Sequence, residues 1–177
     1  MKPPAPDPAH AAGTLRLLAP GDEPTVRAWL AEHLDAHRQW WQDAYGHLPV
    51  MPAPDALERE WAELQGADRS AAHLVTVSAD LHGHPTGIVQ AGVRDDRVMG
   101  LRLGVLQWIY VTPARRGHGT ADRLMRHALA WMDAQGVQGR EVFVTARNAA
   151  AVRLYERHGF RTTDHRMLAP APSSPNP

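Results

Sequence analysis

The segment from Tyr110 to Ala121 constrains the fold of this chain more than any other stretch. It reads YVTPARRGHGTA, an apolar strand end followed by a turn and a loop with glycines at 117 and 119. Apolar residues then recur at positions 121, 124, 125, 128, 129 and 132, a spacing that predicts an amphipathic helix. Such a loop aligns backbone N–H groups where the helix dipole favours negative charge. The segment therefore predicts a phosphate-binding turn between a strand and a helix.

The composition is that of one globular domain. The chain has 177 residues, 44% of them hydrophobic and 21% charged, and its formal net charge is zero. A neutral chain offers no electrostatic case for nucleic acid or an anionic membrane, so we expect neither partner. There is no cysteine, and neither a signal peptide nor a membrane span is visible. We expect a cytoplasmic protein with a single domain over 13–169, and disordered tails over 1–12 and 170–177.

The order of predicted elements excludes a doubly wound fold. The first half contains a strand over 14–18, a helix over 23–37, an irregular aromatic segment over 40–54 and a helix over 55–64. Three strands joined by short turns follow, over 73–79, 87–93 and 101–111. After the helix that ends at Gly136 come a strand over 141–146, a helix from Asn148 to His158, and a closing strand or hairpin over 160–168. This order predicts an α+β, or mixed α/β, fold.

A second motif lies about thirty residues beyond the glycine loop. It consists of Asn148, Ala151, Leu154, Tyr155, Glu156, Gly159 and Phe160. The loop itself fits the pattern Arg/Gln-x-x-Gly-x-Gly/Ala through Arg116, Gly119 and Ala121. With these two motifs the chain resembles the GNAT superfamily of acetyl-CoA-dependent N-acetyltransferases. The resemblance implies a central, mostly antiparallel, splayed sheet of about six to seven strands flanked by about four helices.

The resemblance also implies acetyl-CoA as the co-substrate and assigns residues to it. The pantetheine arm would pair with the main chain at Ile109 and Val111. The pyrophosphate would lie on the loop amides, with an arginine beside it, a set made of Arg116, Gly117, His118, Gly119, Thr120 and Ala121. Asn148 would bind the pantetheine arm on a helix face shared with Ala151 and Tyr155. The Tyr155 hydroxyl would protonate the departing thiolate. From the residues alone, Asn148 can equally be a helix cap, Tyr155 a half-buried core residue and Arg116 an ordinary solvated arginine.

The implied reaction is direct attack of a neutral primary amine on the thioester within a ternary complex. The amine would belong to a small molecule or a peptide, and main-chain N–H groups near Ile109 and Tyr110 would stabilise the oxyanion. Many members of the superfamily carry a glutamate on this strand, where the chain has Gln107, whose amide is not a base. The group that removes the proton from the amine is therefore not identified. The candidates are a chain of waters and the carboxylates of Asp35, Glu58, Glu60 and Glu63.

Two further groups of residues allow more than one interpretation. The aromatic residues Trp40, Trp41, Tyr45 and Trp61 either line an acceptor pocket or pack under the sheet. His33 and His37 have the spacing of a metal pair, but no third ligand is evident, so we expect no metal.

The sequence also leaves open two other functions and the possibility of a homodimer. The chain could be a CoA-binding regulatory or interaction protein without transfer activity. It could also be a nucleotide-phosphate enzyme, which would bind ATP or NAD through the glycine loop instead. Homodimers are frequent in the superfamily, so the resemblance leaves a homodimer open.

Overall fold

The computed structural model describes residues 13–46 and 53–167, which form an open five-stranded sheet with helices on both faces. The first half contains β1 (Thr14–Arg16), α1 (Glu23–Ala44), α2 (Ala56–Asp68), β2 (His73–Ala79) and β3 (Pro85–Asp96). The second half contains β4 (Leu101–Val111), α3 (Thr120–Ala134), β5 (Gly139–Val142) and α4 (Ala149–Arg157). Single 3-10 turns at Pro20–Asp22 and Pro113–Arg115 precede α1 and the glycine loop.

The strands lie in the sheet in chain order, and only the last pair is parallel. β1 to β4 are joined as antiparallel neighbours, as the short turns predict. β5 lies parallel to β4, because α3 carries the chain back across the sheet between them. The mixed α/β fold with four helices is confirmed.

Each face of the sheet buries its own apolar core. On one face, α1 and α2 pack on the sheet through Val26, Trp29, Leu30, Trp61, Leu64 and Ala67. On the other face, α3 packs on the sheet through Leu124, Met125, Ala128 and Met132, and α4 adds Leu154 and Tyr155. The α3 helix lies very close to β4, since a Cβ at Gly104 would be 2.7 Å from Sδ of Met132. The two cores place β4 between an α1/α2 face and an α3/α4 face.

The sheet has five strands instead of the six to seven expected from the resemblance. The closing strand or hairpin over 160–168 is absent from its described part, 160–167, which has no regular structure. Residues 161–166 are all polar and exposed, so they offer no apolar face for a sheet to bury. The strand expected over 141–146 runs instead from Gly139 to Val142.

The first helix is longer than its predicted end at residue 37. It continues to Ala44, so the segment that we expected to be irregular from residue 40 begins as helix. Ring contacts one turn apart support this extension: His37 and Trp40 are 5.3 Å apart, and Trp41 and Tyr45 are 5.5 Å apart, measured between ring centroids. Residues 47–52 of that segment, the tails over 1–12 and 170–177, and positions 168–169 lie outside the described residues.

None of the helices in the described ranges is both long and apolar enough to cross a membrane.

Candidate functional site

The C-terminal half of β4 is where the two faces of the sheet meet an open edge. β4 pairs with β5 from Leu103 to Leu106 and with β3 as far as Val111. After Val142 the chain leaves the sheet, and the side chain of Phe143 is 84% exposed. In the described part of the chain, the last four residues of β4, from Trp108 to Val111, therefore have a strand partner on the β3 side only. This arrangement matches the splayed cleft that the resemblance implies, and it leaves one edge of β4 free to pair with an extended ligand.

The glycine loop joins the end of β4 to the N-terminus of α3. Gly117 and Gly119 have φ of 78° and 79°, which side chains rarely tolerate. Gly119 is the N-cap residue of α3, and it has no side chain to cap the helix. The first intrahelical bond runs from the N–H of Arg123 to the carbonyl of Gly119. The N–H groups of the first helical turn therefore point out of the helix end and can receive an anion.

Three arginines lie near the N-terminal end of α3. A cleft of about 270 Å³ separates the loop from the ends of β2 and β3, and its lining consists of Gly13, Ser78, Ala79, Asp80, Thr86, Arg115, His118, Gly119, Thr120, Arg123 and Arg126. Arg123 donates from Nη2 to Oγ of Ser78 at 2.7 Å, and burial lowers its pKa. The three arginines outnumber the one carboxylate of this lining, Asp80, within a chain of zero net charge.

Arg116 lies away from this cleft. Its Nε donates to the carbonyl oxygen of Val111 at 3.0 Å, and its guanidinium carbon is 5.7 Å from the ring centroid of Tyr110. These contacts fasten the loop to the end of β4. The role of Arg116 beside a pyrophosphate stays a prediction.

The α4 helix packs on the same face of the sheet as α3. Oδ1 of Asn148 accepts a hydrogen bond from the N–H of Ala151 at 3.2 Å, so the predicted helix cap is present and the two side-chain N–H groups are left for another partner. Tyr155 is 8% exposed, and burial raises its pKa to about 12. Its hydroxyl is therefore protonated at neutral pH, as a proton donor must be.

The apolar core and one ionic contact bring α3 and α4 together. Ile109, Ala121, Ala151 and Tyr155 belong to or pack against one buried cluster. Nε2 of His158 lies 3.1 Å from Oδ1 of Asp122 on the first turn of α3. These four predicted donor-site residues from β4, α3 and α4 thus lie on one face of the sheet.

A second cleft opens on the α1/α2 face, behind the same stretch of β4. It is lined by Leu30, His33, Glu60, Glu63, Gln90, Gln107 and Trp108 and has a volume of about 90 Å³. Its shape depends on a β-bulge: Gln90 pairs with Trp108 and Ala91 pairs with Leu106, which leaves Gln107 as the extra residue. Gln107 and Trp108 consequently both line this cleft, although they are consecutive along the strand.

One residue that lines the cleft on the α1/α2 face, His33, has a lowered pKa. Burial and the neighbouring His37 lower the pKa of His33 to about 4, so its imidazole is neutral at pH 7. The ring centroids of the two histidines are 4.3 Å apart. In the ranges that the structure describes, no group of three potential ligands could hold a metal ion.

The aromatic residues considered for the acceptor pocket separate into two sets. Trp61 is a buried member of the core on the α1/α2 face. Trp40, Trp41 and Tyr45 are half-buried at the end of α1, where Arg166 lies over the ring of Trp41 at 4.9 Å. The cleft itself takes its aromatic wall from Trp108 on β4, which sequence reasoning did not select.

Comparison with known proteins agrees with this geometry. The model of the acetyltransferase (GNAT) family matches residues 28–160. A protein of Streptomyces avermitilis named mycothiol acetyltransferase is 29% identical over 88% of this chain and 45% of its own length. The chain spans less than half the length of each of three curated relatives with that name.

Solved structures share the fold at low sequence identity. A mutant of the BH1408 protein from Bacillus halodurans superposes with a TM-score of 0.73 at 17% identity, covering 89% of this chain and 99% of that one. A structure of AAC(6')-Iy in complex with a bisubstrate analog, CoA-S-monomethyl-acetylneamine, has a TM-score of 0.58 at 18% identity, with coverage of 90% and 98%.

Proposed function

Since the chain belongs to the GNAT family of acetyltransferases, we propose that it transfers an acetyl group from acetyl-CoA to a primary amine of a small molecule or peptide. The amine attacks the thioester directly, with both substrates bound at once. The single observation that carries this proposal is the position of β4. It has an open edge, it leads through the glycine loop into the N-terminus of α3 on one face of the sheet, and it lines a cleft with two carboxylates on the other face. Donor and acceptor can thus reach one strand from opposite faces.

The residues on the α3/α4 face fit the parts of acetyl-CoA. The pyrophosphate lies on the amides of residues 117–121, where the helix end and the nearby arginines favour negative charge. The pantetheine arm extends along β4 beside Ile109 and Val111, and the free N–H groups of Asn148 bind it. We also propose that residues 13–169 form a single acetyltransferase domain, which contains both substrate sites.

Tyr155 is the proton donor to the leaving thiolate. Its pKa of about 12 in the substrate-free protein keeps the hydroxyl protonated, and its place in the cluster around Ile109 sets it near the acetyl group. Main-chain N–H groups near Ile109 and Tyr110 stabilise the negative charge that develops on the carbonyl oxygen.

The acceptor is proposed at the level of its class. The relatives are named for mycothiol, and the bisubstrate analog in the AAC(6')-Iy structure joins CoA to a monomethyl-acetylneamine group. Both names support a small-molecule acceptor for this chain as well.

A calorimetric titration with acetyl-CoA, with ATP and NAD as controls, tests the donor site. We expect saturable heat and thermal stabilisation with acetyl-CoA alone. Release of free thiol from acetyl-CoA is then measured with ethanolamine, tyramine, serine, tyrosine, hydroxylamine and a short peptide. Binding without thiol release from any of these would favour a CoA-binding protein that lacks transfer activity. The absence of binding would refute the donor assignment.

A further inference from the structure

The bulge in β4 places a side chain that is not a base where the acceptor would lose its proton. Gln107 lines the cleft on the α1/α2 face, and its Oε1 comes within 3.4 Å of the position that a Cβ at Gly92 would take. A primary ammonium has to become neutral before its nitrogen can attack a carbonyl carbon. If the proposed function holds, another group at this cleft has to accept the proton.

The structure separates the acidic residues that the sequence left open. The carboxylate of Glu58 is held by the Nη2 of Arg27, and that of Asp35 lies 2.8 Å from Nη2 of Arg38. Neither of them lines the cleft. These two carboxylates are engaged in ion pairs on the helix surfaces and are poorly placed to accept a proton beside β4.

Glu60 and Glu63 are the two carboxylates that do line the cleft. They are three residues apart on α2, so they lie on one face of that helix. Trp108, which is 6% exposed, also lines the cleft. The cleft thus combines two carboxylates with an aromatic side chain.

We infer that Glu60 accepts the proton of the acceptor's ammonium group, while Glu63 holds that cation beside Gln107. Two carboxylates at one cleft also select the acceptor. They attract a cationic amine and repel one that carries its own carboxylate next to the nitrogen. The preferred acceptor is therefore a primary amine without an adjacent carboxylate.

The protons balance over the whole transfer. The ammonium gives one proton to Glu60, and the neutral nitrogen forms the new C–N bond. The C–S bond breaks, and the thiolate takes the proton of Tyr155. The second proton lost by the nitrogen returns through solvent to Tyr155, and Glu60 releases its proton to water. For each ammonium and acetyl-CoA consumed, the products are one acetylated amine, one CoA thiol and one proton.

The charges around Glu60 support this role. Partial burial and repulsion by Glu63 raise its pKa, and Arg59 on the same helix opposes that shift. From α1 the cleft is faced by His33, which is neutral at pH 7, and from β3 and β4 by the uncharged amides of Gln90 and Gln107. A carboxylate with a raised pKa is a better proton acceptor than an ordinary one.

The test compares Glu60→Gln with Glu58→Gln, which alters a neighbouring carboxylate of α2 outside the cleft. With ethanolamine or tyramine, whichever the wild type acetylates faster, we expect Glu60→Gln to lower kcat/KM about 100-fold. The KM for acetyl-CoA should stay unchanged, and the rate should now rise about tenfold per pH unit up to the amine's own pKa, because only amine that is already neutral can react. Hydroxylamine is already neutral at pH 7, so its acetylation should be nearly unaffected. Glu58→Gln should behave as the wild type.

Two further measurements address the second carboxylate and the selectivity. Glu63→Gln should raise the KM for the amine and move the acidic limb of the pH profile to lower pH, because Glu60 loses its repelling neighbour. The wild type should favour ethanolamine over serine and tyramine over tyrosine, pairs that differ only by a carboxylate.

Wild-type activity and pH dependence in Glu60→Gln would overturn the inference, and so would equal losses with ethanolamine and hydroxylamine. Either result leaves the proposed function standing as long as the wild type binds acetyl-CoA and releases thiol. A wild type that releases no thiol with any of the amines refutes the proposed function, and the inference with it.

Discussion

The two faces of the sheet present different chemical groups beside β4: main-chain groups on one face and side chains on the other. On the α3/α4 face, the proposed anion site is made of main-chain N–H groups at the N-terminal end of α3, and two glycines with positive φ shape the loop before it. On the α1/α2 face, the cleft is made of side chains, including Glu60, Glu63 and Trp108. A binding site made of backbone demands particular residue types at fixed spacing, whereas one made of side chains can change with each substitution. We therefore expect the donor side to be the common part of the molecule and the acceptor side to be its individual part.

We expect the largest effect from a negative charge placed in the proposed anion site on the α3/α4 face. We expect Gly119→Glu to weaken acetyl-CoA binding at least about 100-fold, because a carboxylate then occupies the anion site and residue 119 must hold φ near 79°. Gly100→Glu is the matched control: Gly100 has a φ of 66° and open space around it, in the turn between β3 and β4. Calorimetry should show wild-type affinity for the control. Equal losses in the two variants would mean that strain alone, and no anion site, explains the result.

Loss of the Tyr155 hydroxyl should affect chemistry more than binding. We expect Tyr155→Phe to lower kcat about 100-fold, the usual scale for removing a general acid, with little change in the Kd of acetyl-CoA. Tyr45→Phe removes a hydroxyl at the end of α1 and should leave both constants unchanged. Thiol-release kinetics and calorimetry make the comparison. An unchanged kcat in Tyr155→Phe would reduce this residue to a packing role.

Burial of His33 on the α1/α2 face should make the stability of the fold depend on pH. His33 has a pKa of about 4 in the folded protein, below the ordinary value of 6.5, so the unfolded chain binds a proton first as the pH falls. Its contribution to stability is complete above pH 6.5 and is lost between pH 6.5 and 4, a change of about 3 kcal/mol. Urea unfolding at several pH values should show a shallower slope for His33→Gln than for the wild type. His165→Gln, at an exposed position, should keep the wild-type slope, and a wild-type slope in His33→Gln would contradict the buried neutral state.

The smallest effect separates the two roles of Asn148. Asn148→Asp keeps an oxygen that can cap α4 but removes the side-chain N–H donors, so stability should persist while acetyl-CoA affinity falls about tenfold, the value of one lost hydrogen bond. Asn148→Ala should lose the same affinity and, in addition, about 1 kcal/mol of stability. Thermal unfolding and calorimetry measure the two quantities separately. Full affinity in Asn148→Asp would leave Asn148 as a cap only.

The sequence was most informative where the backbone itself needs a particular residue. Gly117 and Gly119 adopt the positive φ that glycine tolerates best, and Asn148 caps the helix that it was predicted to begin. These positions could be located from spacing, because turn and cap geometry depends on neighbours along the chain. The basic residues around the loop could be located in the same way, although Arg116 was found at the end of β4.

Features that depend on distant pairing could not be predicted in this way. The bulge at Gln107 arises from how β4 aligns with β3, and no residue type marks it in advance. The prediction of a closing strand was wrong for a similar reason. Phe160 and Leu168 suggested a strand, but the polar residues 161–166 between them have no apolar face to bury. Glu60 and Glu63 were among several carboxylates, and only the packing of α2 against the sheet distinguishes them.

The bulge also decides which changes in chain length β4 can survive. Leu106 and Ile109 face the same core although three positions separate them, so the alternation of the strand is shifted by one residue at Gln107. Deleting that residue would restore regular alternation and leave Trp108 and Tyr110 facing α1 and α2, because the residues on either side of it already pair with consecutive residues of β3. A single-codon deletion at position 107 would therefore remove one side chain from the cleft and keep both surfaces of the strand. A deletion outside the bulge, where the alternation is regular, would instead exchange the two surfaces beyond the deleted residue unless the bulge absorbed the change.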